Sequence, residues 1–418
     1  MKGGNVASAG VKGVFAGVSR VAFNVLYRAF CIGGRRNEVL FVSRKSDTPS
    51  YDYLECGAAF EKRGMKSVYL SAHFKKSAVA SYFVLVMKEL YHLARCKVCV
   101  IDRYDPVVSL LDFKCQPARR GSADGGLVGD AHSDSSVQGE FPVEPVVVQL
   151  WHAFGAYKKF GYQCVDIAEG HSSVETSQFK IHRNNSWVVC SGEGSRRAFA
   201  EAFNCPMERV VPLSRPEYRK LLDLREKDAR DEAESVGIDE CRVKNRAEKL
   251  MVMFAPTIRK YDAAADPFGQ LKRSDFQERY LRDFDVLWSD HPLVAGADAK
   301  GDIPKGLQDA QLVVTDYSSI VYEAYLLNKM VCFYVPDIDH YRKSPGLNVD
   351  PEVACPSLVA KSPQQLAEKL RVYAADPTIY PWNEFANFIG DAFAGCGSDP
   401  ATDLVDFLEE RYPDLCTR

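Results

Sequence analysis

The chain has 418 residues, of which 46% are hydrophobic and 26% are charged, and its formal net charge is −3. This is the composition of an ordinary soluble globular protein, and the length suggests two or three domains. The nearly balanced charge excludes the global basic field that drives nucleic-acid binding. The 13 cysteines are scattered without the dense, even spacing of a secreted disulfide framework. We therefore expect a reducing compartment.

The first informative segment is residues 11–30, in which apolar side chains recur at helical spacing. Lys12, Arg20 and Arg28 fall on the opposite arc. Two interpretations remain open: a helix in a membrane interface with its basic side chains facing anionic headgroups, or a helix packed on the protein body. We assign residues 1–36 as an amphipathic membrane-association segment. We expect no transmembrane helix, because no run reaches roughly 18 apolar residues, and no cleavable signal peptide.

Short apolar runs then alternate with helical patterns, which is typical of a parallel α/β sheet. Strands are predicted at 39–43, 67–70, 97–102, 146–150, 187–190 and 210–213, with helices at 51–63, 78–94 and 195–203. Residues 115–145 are rich in Gly, Ser, Asp and Pro, and we interpret them as a flexible insertion. Cys96 and Cys99 form an isolated CxxC, for which we predict a buried structural role.

A charged helix at 222–236 is predicted near a domain boundary, and a second α/β series follows it. Its strands are predicted at 250–255, 285–289, 312–314 and 331–335, and closing helices at 363–373, 382–393 and 402–411. Two such halves predict two Rossmann-like domains, 37–220 and 221–418, that face a central cleft. Ligands of such sheets bind outside the carboxyl ends of the strands.

The stretch 312–328, LVVTDYSSIVYEAYLLN, passes from a predicted buried strand into a helix. Four hydrogen-bonding side chains lie at the turn: Thr315, Asp316, Ser318 and Ser319. Unpaired N–H groups, the helix dipole and serine hydroxyls together suit a phosphate or diphosphate. An ordinary serine N-cap is the alternative. Glu323 follows one helical turn later, where a carboxylate can accept hydrogen bonds from polyol hydroxyls.

Three more side chains follow predicted strands, so that one cleft can gather them with the serine pair. His152 can act as a general base near neutral pH, and Arg259 offers fork geometry to phosphate oxygens. His291 precedes a proline and is biased to extended backbone. Lys158 and Lys159 can hold an anionic acceptor or form a solvated face.

The sequence gives only weak signals for a metal site or a common nucleotide-binding motif. Asp283 with Asp285, and Asp337 with Asp339, form D-x-D pairs that can hold a divalent metal against a diphosphate, but loop and cap roles are favoured. No GxxxxGK[ST] and no strand-linked GxGxxG is present, which excludes the simplest nucleotide-binding classes.

Several segments together resemble one family. In order, VVQLWHAFGAYKKFG, FAPTIRK, SDHP and VTDYSSIVYEAYLLNKMVCFYVPDIDHY are similar to the CDP-glycerol glycerophosphotransferases of wall teichoic acid synthesis, which include primases, glycerol-phosphate polymerases and ribitol-phosphate transferases. The resemblance implies a GT-B-like fold. It also implies transfer of glycerol phosphate or ribitol phosphate from a CDP-alditol, with release of CMP. The implied acceptor is a polyprenyl-diphosphate-linked saccharide or growing polymer at the cytoplasmic membrane face.

The resemblance also implies site roles. His152 would be the base for the acceptor hydroxyl, and Gly155 and Lys158 would lie on the acceptor side. Donor-binding roles fall on Arg259, His291, Thr315, Asp316, Ser318, Ser319 and Glu323, the last facing the alditol hydroxyls. No cofactor is firmly implied, and divalent-metal dependence stays open.

This chain departs from the family pattern at three places. Ala153 follows the histidine where many members have Gly, Glu323 stands where many have Asp, and residues 213–216 replace a Gly-x-Pro-Arg turn. The donor alditol and the choice between single addition and polymerisation therefore stay open. Two rival classes remain: a nucleotide-sugar glycosyltransferase of the same fold, which releases a nucleoside diphosphate, and a non-catalytic membrane-associated scaffold.

Overall fold

A computed structural model describes residues 3–73, 79–113, 144–168, 170–238, 249–257, 266–289 and 306–417. Within these ranges the chain forms two all-parallel sheets. The first contains β1 (Glu38–Ser43), β2 (Lys66–Ser71), β3 (Val98–Ile101), β4 (Val146–Gln149), β5 (Trp187–Val189) and β6 (Val210–Val211). The second contains β7 (Leu250–Ala255), β8 (Phe284–Trp288), β9 (Leu312–Thr315), β10 (Met330–Tyr334) and β11 (Val359–Ala360). Two α/β halves are as predicted.

Helices connect the strands, as parallel pairing requires. Those that precede β7 in the chain are α1 (Gly3–Cys31), α2 (Tyr51–Lys62), α3 (Val79–Leu93), α4 (Pro106–Leu110), α5 (Ser173–Gln178), α6 (Arg196–Phe203) and α7 (Glu217–Ile238). The later ones are α8 (Ser274–Phe276), α9 (Ile320–Leu326), α10 (Ile338–Tyr341), α11 (Pro351–Ala354), α12 (Pro363–Ala375), α13 (Trp382–Ile389) and α14 (Pro400–Arg411).

The first sheet is covered on both faces because side chains alternate along each strand. In β1, Val39 and Phe41 pack into a core with residues of α2 and α14, whereas Leu40 and Val42 pack into a core with α1, α3 and α4. All four are at most 2% exposed, which explains the continuous apolar run in the sequence. Cys96 and Cys99 are also buried and free, as predicted.

Both sheets reverse their strand order at an equivalent place. The first has the order β2-β1-β3-β4-β5-β6, and the second has β11-β10-β9-β7-β8. The chain therefore moves outward in one direction from β1 and in the other from β3, and likewise from β7 and β9. Such a switch point leaves a crevice at the carboxyl ends of the two strands, which is the usual ligand position in open α/β sheets.

The chain returns to the first half at its C-terminal end. Phe407 of α14 packs edge-on against Trp187 of β5, and Leu404 and Leu408 lie in the first-half core. The division expected from sequence, 37–220 and 221–418, remains a proposal. The packing of α14 shows that the last helix of the second range lies against the first half. The insertion expected at 115–145 lies outside the described residues except for its last two positions.

The N-terminal helix is present, and two of the three side chains on its basic arc contact the protein body, whereas Arg28 is exposed. Arg20 pairs with Asp112 at 2.8 Å, and Lys12 pairs with Glu175 at 2.5 Å, so both cations contact the protein body. Tyr27 is 3% exposed in the first-half core. Of the described helices, α1 also has a segment, Lys12–Cys31, that is long and apolar enough, by length and composition alone, to cross a membrane.

A glycine fixes the approach of the two halves. Gly155 follows β4 with φ +58°, donates its N–H to Ser191 Oγ at 2.9 Å, and lies against the ring of Tyr322 in α9. A Cβ at this position would lie 2.1 Å from a ring carbon of Tyr322. Only glycine allows both the left-handed backbone and this contact.

We expect Gly155→Ala to lower the free energy of unfolding by at least about 2 kcal/mol, because left-handed strain and overpacking add. Gly34→Ala is the matched control, since Gly34 has φ +70° but no neighbour within 4 Å of a Cβ. Urea unfolding of both variants separates backbone strain from the Tyr322 contact. Equal losses in the two variants would show that the contact between the halves contributes nothing.

Candidate active site

A cavity of about 440 Å³ lies between the two sheets at the carboxyl ends of their strands. The first half contributes the loops after β1, β3, β4 and β6, and the second half contributes the loops after β7 and β9. The charged and hydrogen-bonding side chains that line it include Lys45, Asp52, Asp102, Arg103, His152, Lys158, Arg215, Glu217, Thr257, Ser318, Ser319 and Glu323.

His152 lies in the wall of this cavity, two residues after Leu150 at the end of β4. Its Nδ1 is 3.1 Å from the backbone carbonyl oxygen of Asp102. Because a carbonyl oxygen only accepts, Nδ1 carries the proton in the neutral ring, and Nε2 keeps its lone pair. The adjacent Trp151 ring, centred 4.2 Å away, limits the imidazole from the other side. The side chain remains exposed to the cavity.

Asp102 organises the loops on this side. Its carboxylate accepts from Ser43 Oγ at 2.8 Å and lies 3.3 Å from Arg103 Nε. The Ser43 hydroxyl in turn accepts from the Lys45 N–H at 3.2 Å. The end of β1, the end of β3 and the His152 ring are therefore held by one residue.

Positive charge surrounds the histidine. Desolvation, then the charge of Arg103, lowers the pKa of His152, and Lys45 and Arg215 add to this, although the hydrogen bond to Asp102 opposes it. The imidazole is consequently neutral at physiological pH, which is the protonation state a general base requires.

Arg215 is buried and contacts the backbone of His152 and several other side chains. Its Nη1 donates to the His152 carbonyl oxygen at 2.5 Å, and the guanidinium lies 4.6 Å from the Phe154 ring centre. Its charge is balanced by an ion pair with Glu217 and by Asp52, whose Oδ2 lies 3.5 Å from Nε. The Arg215 side chain therefore positions the backbone of the loop that carries His152.

The second half presents Ser318, Ser319 and Glu323 to the same cavity. Ser318 Oγ accepts from the Ile320 N–H at 3.4 Å, whereas Ser319 makes no side-chain cap hydrogen bond. Glu323 Oε2 is buried with no hydrogen-bond partner among the described residues. Desolvation raises the pKa of Glu323 to about 7, although Arg215 and Lys45 oppose it. These polar groups converge where hydroxyls and phosphate oxygens of a ligand can bind.

Thr315 and Asp316 were predicted to bind the donor, and the structure corrects this. Both are fully buried and do not line the cavity. Thr315 Oγ1 donates to the Ala255 carbonyl at 2.7 Å, and Asp316 Oδ1 accepts from the Thr257 N–H at 2.8 Å. They tie the end of β9 to the end of β7, so they position the serine loop.

The other predicted residues divide into two groups. Gly155 and Lys158 line the cavity, Lys158 beside a bridge to Leu347 of the second half. Arg259 and His291 lie outside the described residues.

In the described part of the chain, no group of three or more His, Cys, Asp or Glu side chains is arranged to hold a metal ion. The two aspartates of the second D-x-D pair have partners of their own. Asp337 accepts from the Tyr317 hydroxyl at 3.0 Å, and Asp339 pairs with Arg342.

Three cationic residues of the cavity were missed at the sequence level: Lys45, Arg103 and Arg215. Each lies two to four residues past a strand, after β1, β3 and β6. The rule that singled out His152, a polar side chain just past a buried strand, therefore also applied to them.

Glu323→Gln should raise the melting temperature at pH 8.5 and change it little at pH 5. A carboxyl whose pKa is raised by burial contributes stability below its unfolded pKa and loses it as pH rises through about 7. Each kcal/mol of burial cost removed should add roughly 2–4 °C. Calorimetry at both pH values, with exposed Glu410→Gln as control, checks this. A pH-independent change would contradict it.

Comparisons with known proteins agree with this architecture. A protein of Bacillus spizizenii described as a teichoic acid poly(ribitol-phosphate) polymerase is 27% identical over 353 residues, covering 78% of this chain and 49% of that protein. A teichoic acid ribitol-phosphate primase of the same species is 26% identical, covering 70% of each chain. This chain thus spans about half of the polymerase.

The fold matches a solved structure. The wall teichoic acid polymerase TagF superposes with a TM-score of 0.64 at 14% identity, covering 100% of both chains, so the two share a GT-B-like fold. The family model described as CDP-Glycerol:Poly(glycerophosphate) glycerophosphotransferase matches residues 25–381. The chain belongs to this CDP-glycerol glycerophosphotransferase family.

Proposed function

We propose that this protein transfers glycerol phosphate or ribitol phosphate from a CDP-alditol to a hydroxyl of a polyprenyl-diphosphate-linked acceptor or growing teichoic-acid-like polymer, releasing CMP. The observation that carries the proposal is the placement of His152 and of Ser318, Ser319 and Glu323 in one cavity, contributed by opposite halves. A transfer reaction needs this arrangement, because donor and acceptor must meet at one phosphorus atom.

The proposed step is an in-line displacement at the alditol-bearing phosphorus. The acceptor hydroxyl oxygen forms the new P–O bond while the bond from that phosphorus to the bridging diphosphate oxygen breaks, and CMP leaves with those electrons. The hydroxyl proton passes to Nε2 of His152, whose lone pair is free because Nδ1 donates to Asp102. Such a transfer depends on positioning and charge stabilisation more than on covalent catalysis.

The second half is proposed to hold the donor. The Ser319 hydroxyl, which makes no cap hydrogen bond, and that of Ser318 can donate to diphosphate oxygens. Glu323 Oε2 can accept from alditol hydroxyls, which would satisfy its buried oxygen. Arg259 and His291 keep their proposed diphosphate roles from the family resemblance, but no step here depends on them.

Peripheral attachment to the cytoplasmic face of a membrane is part of the proposal. The outer face of α1 exposes Val14, Phe15, Val18, Val21 and Val25, each more than 60% accessible. A contiguous apolar face of this kind marks an interaction site, and a lipid-linked acceptor requires a membrane surface nearby. Since Lys12 and Arg20 pair with the protein body, burial of apolar area carries the attachment.

His152→Ala should lower CMP release from CDP-glycerol or CDP-ribitol with lipid-linked acceptor by about 10²–10⁴-fold, because the general base is lost. The control is His340→Ala, at an exposed histidine outside the cavity. Turnover near that of the unaltered protein would refute the role of His152. Release of a nucleoside diphosphate from a nucleotide sugar, without CMP release, would favour the glycosyltransferase alternative.

The triple substitution Phe15→Ser, Val18→Ser and Val21→Ser should weaken co-sedimentation with anionic vesicles at least tenfold, because burying each side chain in the interface contributes about 1.5–3 kcal/mol. Point substitutions are needed because deleting α1 would uncover the core around Tyr27.

Activity on a soluble acceptor should survive in this triple variant. Val353→Ser with Val372→Ser removes exposed apolar side chains elsewhere and is the control. Unchanged sedimentation of the triple variant would exclude α1 as the attachment site.

A further inference from the structure

The two switch points of the molecule face the same cavity. At the second-half switch point, between β7 and β9, lie Thr257 and the Ser318–Ser319 pair. At the first-half switch point, between β1 and β3, lie Lys45 and Arg103. A switch-point crevice is where an open α/β sheet binds its ligand, so two ligand positions open into one cleft.

The first-half position carries two cationic side chains, Lys45 and Arg103. Ser43, the last residue of β1, donates to Asp102 after β3, and this link fixes the loops that carry Lys45 and Arg103. Arg103 Nε lies 3.3 Å from Asp102 Oδ1, and Arg103 lines the cavity. Both cations are held at the crevice, Lys45 by a hydrogen bond from its backbone N–H to Ser43 and Arg103 by its contact with the Asp102 carboxylate.

Of the two cationic side chains, that of Lys45 has the fewer direct polar contacts. Its ammonium makes no hydrogen bond or ion pair with any residue that the structure describes, although the side chain is only partly accessible. Desolvation lowers the pKa of Lys45, and the charges of Arg215 and Arg103 add to this, against Asp102 and Asp52. A partly buried cation without a direct ion pair among the described residues is well placed to bind an anionic ligand.

We propose that Lys45 and Arg103 form a subsite for a phosphodiester of the acceptor, so that the preferred acceptor already ends in an alditol phosphate. The inference rests on the proposed function and deepens it. The subsite lies on the side of His152, which takes the acceptor proton, and faces the serine pair proposed for the donor. The substrate class is therefore that of chain extension and not of the first addition to an uncharged saccharide end.

A bound phosphodiester would also change the proton affinity of His152. Arg103 and Lys45 are among the charges that lower the pKa of His152, and a phosphate anion beside them offsets that effect. The base then gains proton affinity only when the correct acceptor is in place. An acceptor without the phosphate leaves the imidazole a weaker base.

The test compares two lipid-linked acceptors that are identical except for one terminal alditol phosphate, with the full chain and CDP-glycerol or CDP-ribitol as donor. CMP release gives kcat/KM for each acceptor. We expect the unaltered protein to prefer the phosphate-bearing acceptor by at least tenfold. Lys45→Met should lower kcat/KM for that acceptor about 10–100-fold, as loss of a hydrogen bond to a charged group implies, and change the other less than threefold.

Three controls accompany this measurement. Lys45→Arg should restore most of the preference, the donor KM should stay unchanged, and Lys62→Met, at an exposed lysine of α2, should have no effect. Equal use of both acceptors, or an equal loss on both in Lys45→Met, would overturn the subsite while leaving the proposed function intact. Absence of CMP release with either acceptor and either donor would overturn the proposed function itself.

Discussion

The first-half side of the cleft depends on one buried residue, Asp102. Its carbonyl oxygen fixes the tautomer of His152, and its carboxylate holds Ser43 and Arg103 across the switch point. A carboxylate that is 6% exposed is costly unless it is fully bonded, and these partners meet that requirement. The His152 ring, the nearby cations and the ends of β1 and β3 are therefore one unit whose parts cannot move independently.

The cost of burying a charge also explains the ion pairs around Arg215. The guanidinium of Arg215 is 8% exposed, and the carboxylates of Asp52 and Glu217 offset its charge in the wall of the cavity. Towards the cavity no such pairing meets Lys45 among the described residues. Direct ion pairs thus neutralise Arg215, whereas the charge of Lys45 lies in the cavity wall without a direct ion pair among the described residues. The overall net charge of −3 gives no indication of this local field.

Much of the fold could be predicted because buried parallel strands read as apolar runs. The predicted strand at 250–255 matches β7, and most others differ by one or two residues. His152, Ser318, Ser319 and Glu323 reached the cavity because residues just past strands meet at one edge of a sheet. The same rule failed for Thr315 and Asp316, since position along the chain does not tell which way a side chain points.

Lys45 and Arg103 were missed for a related reason. Neither has an aromatic or turn motif beside it like the tryptophan before His152, and a lone cation after a strand is usually solvated. Their significance comes from strand order, which places β1 next to β3 although β2 intervenes in sequence. Only tertiary structure supplies that adjacency.

The return of α14 to the first half has a mechanical consequence. The backbone passes to the second half near Glu217 and comes back near residues 391–396, where Glu193 and Gly194 donate backbone hydrogen bonds to Ala394 and Asp391. Two passages make a hinge, because they restrict relative motion to rotation about the line that joins them. A change in the width of the cleft is therefore a rotation of one half against the other, in which the two halves keep their lateral register.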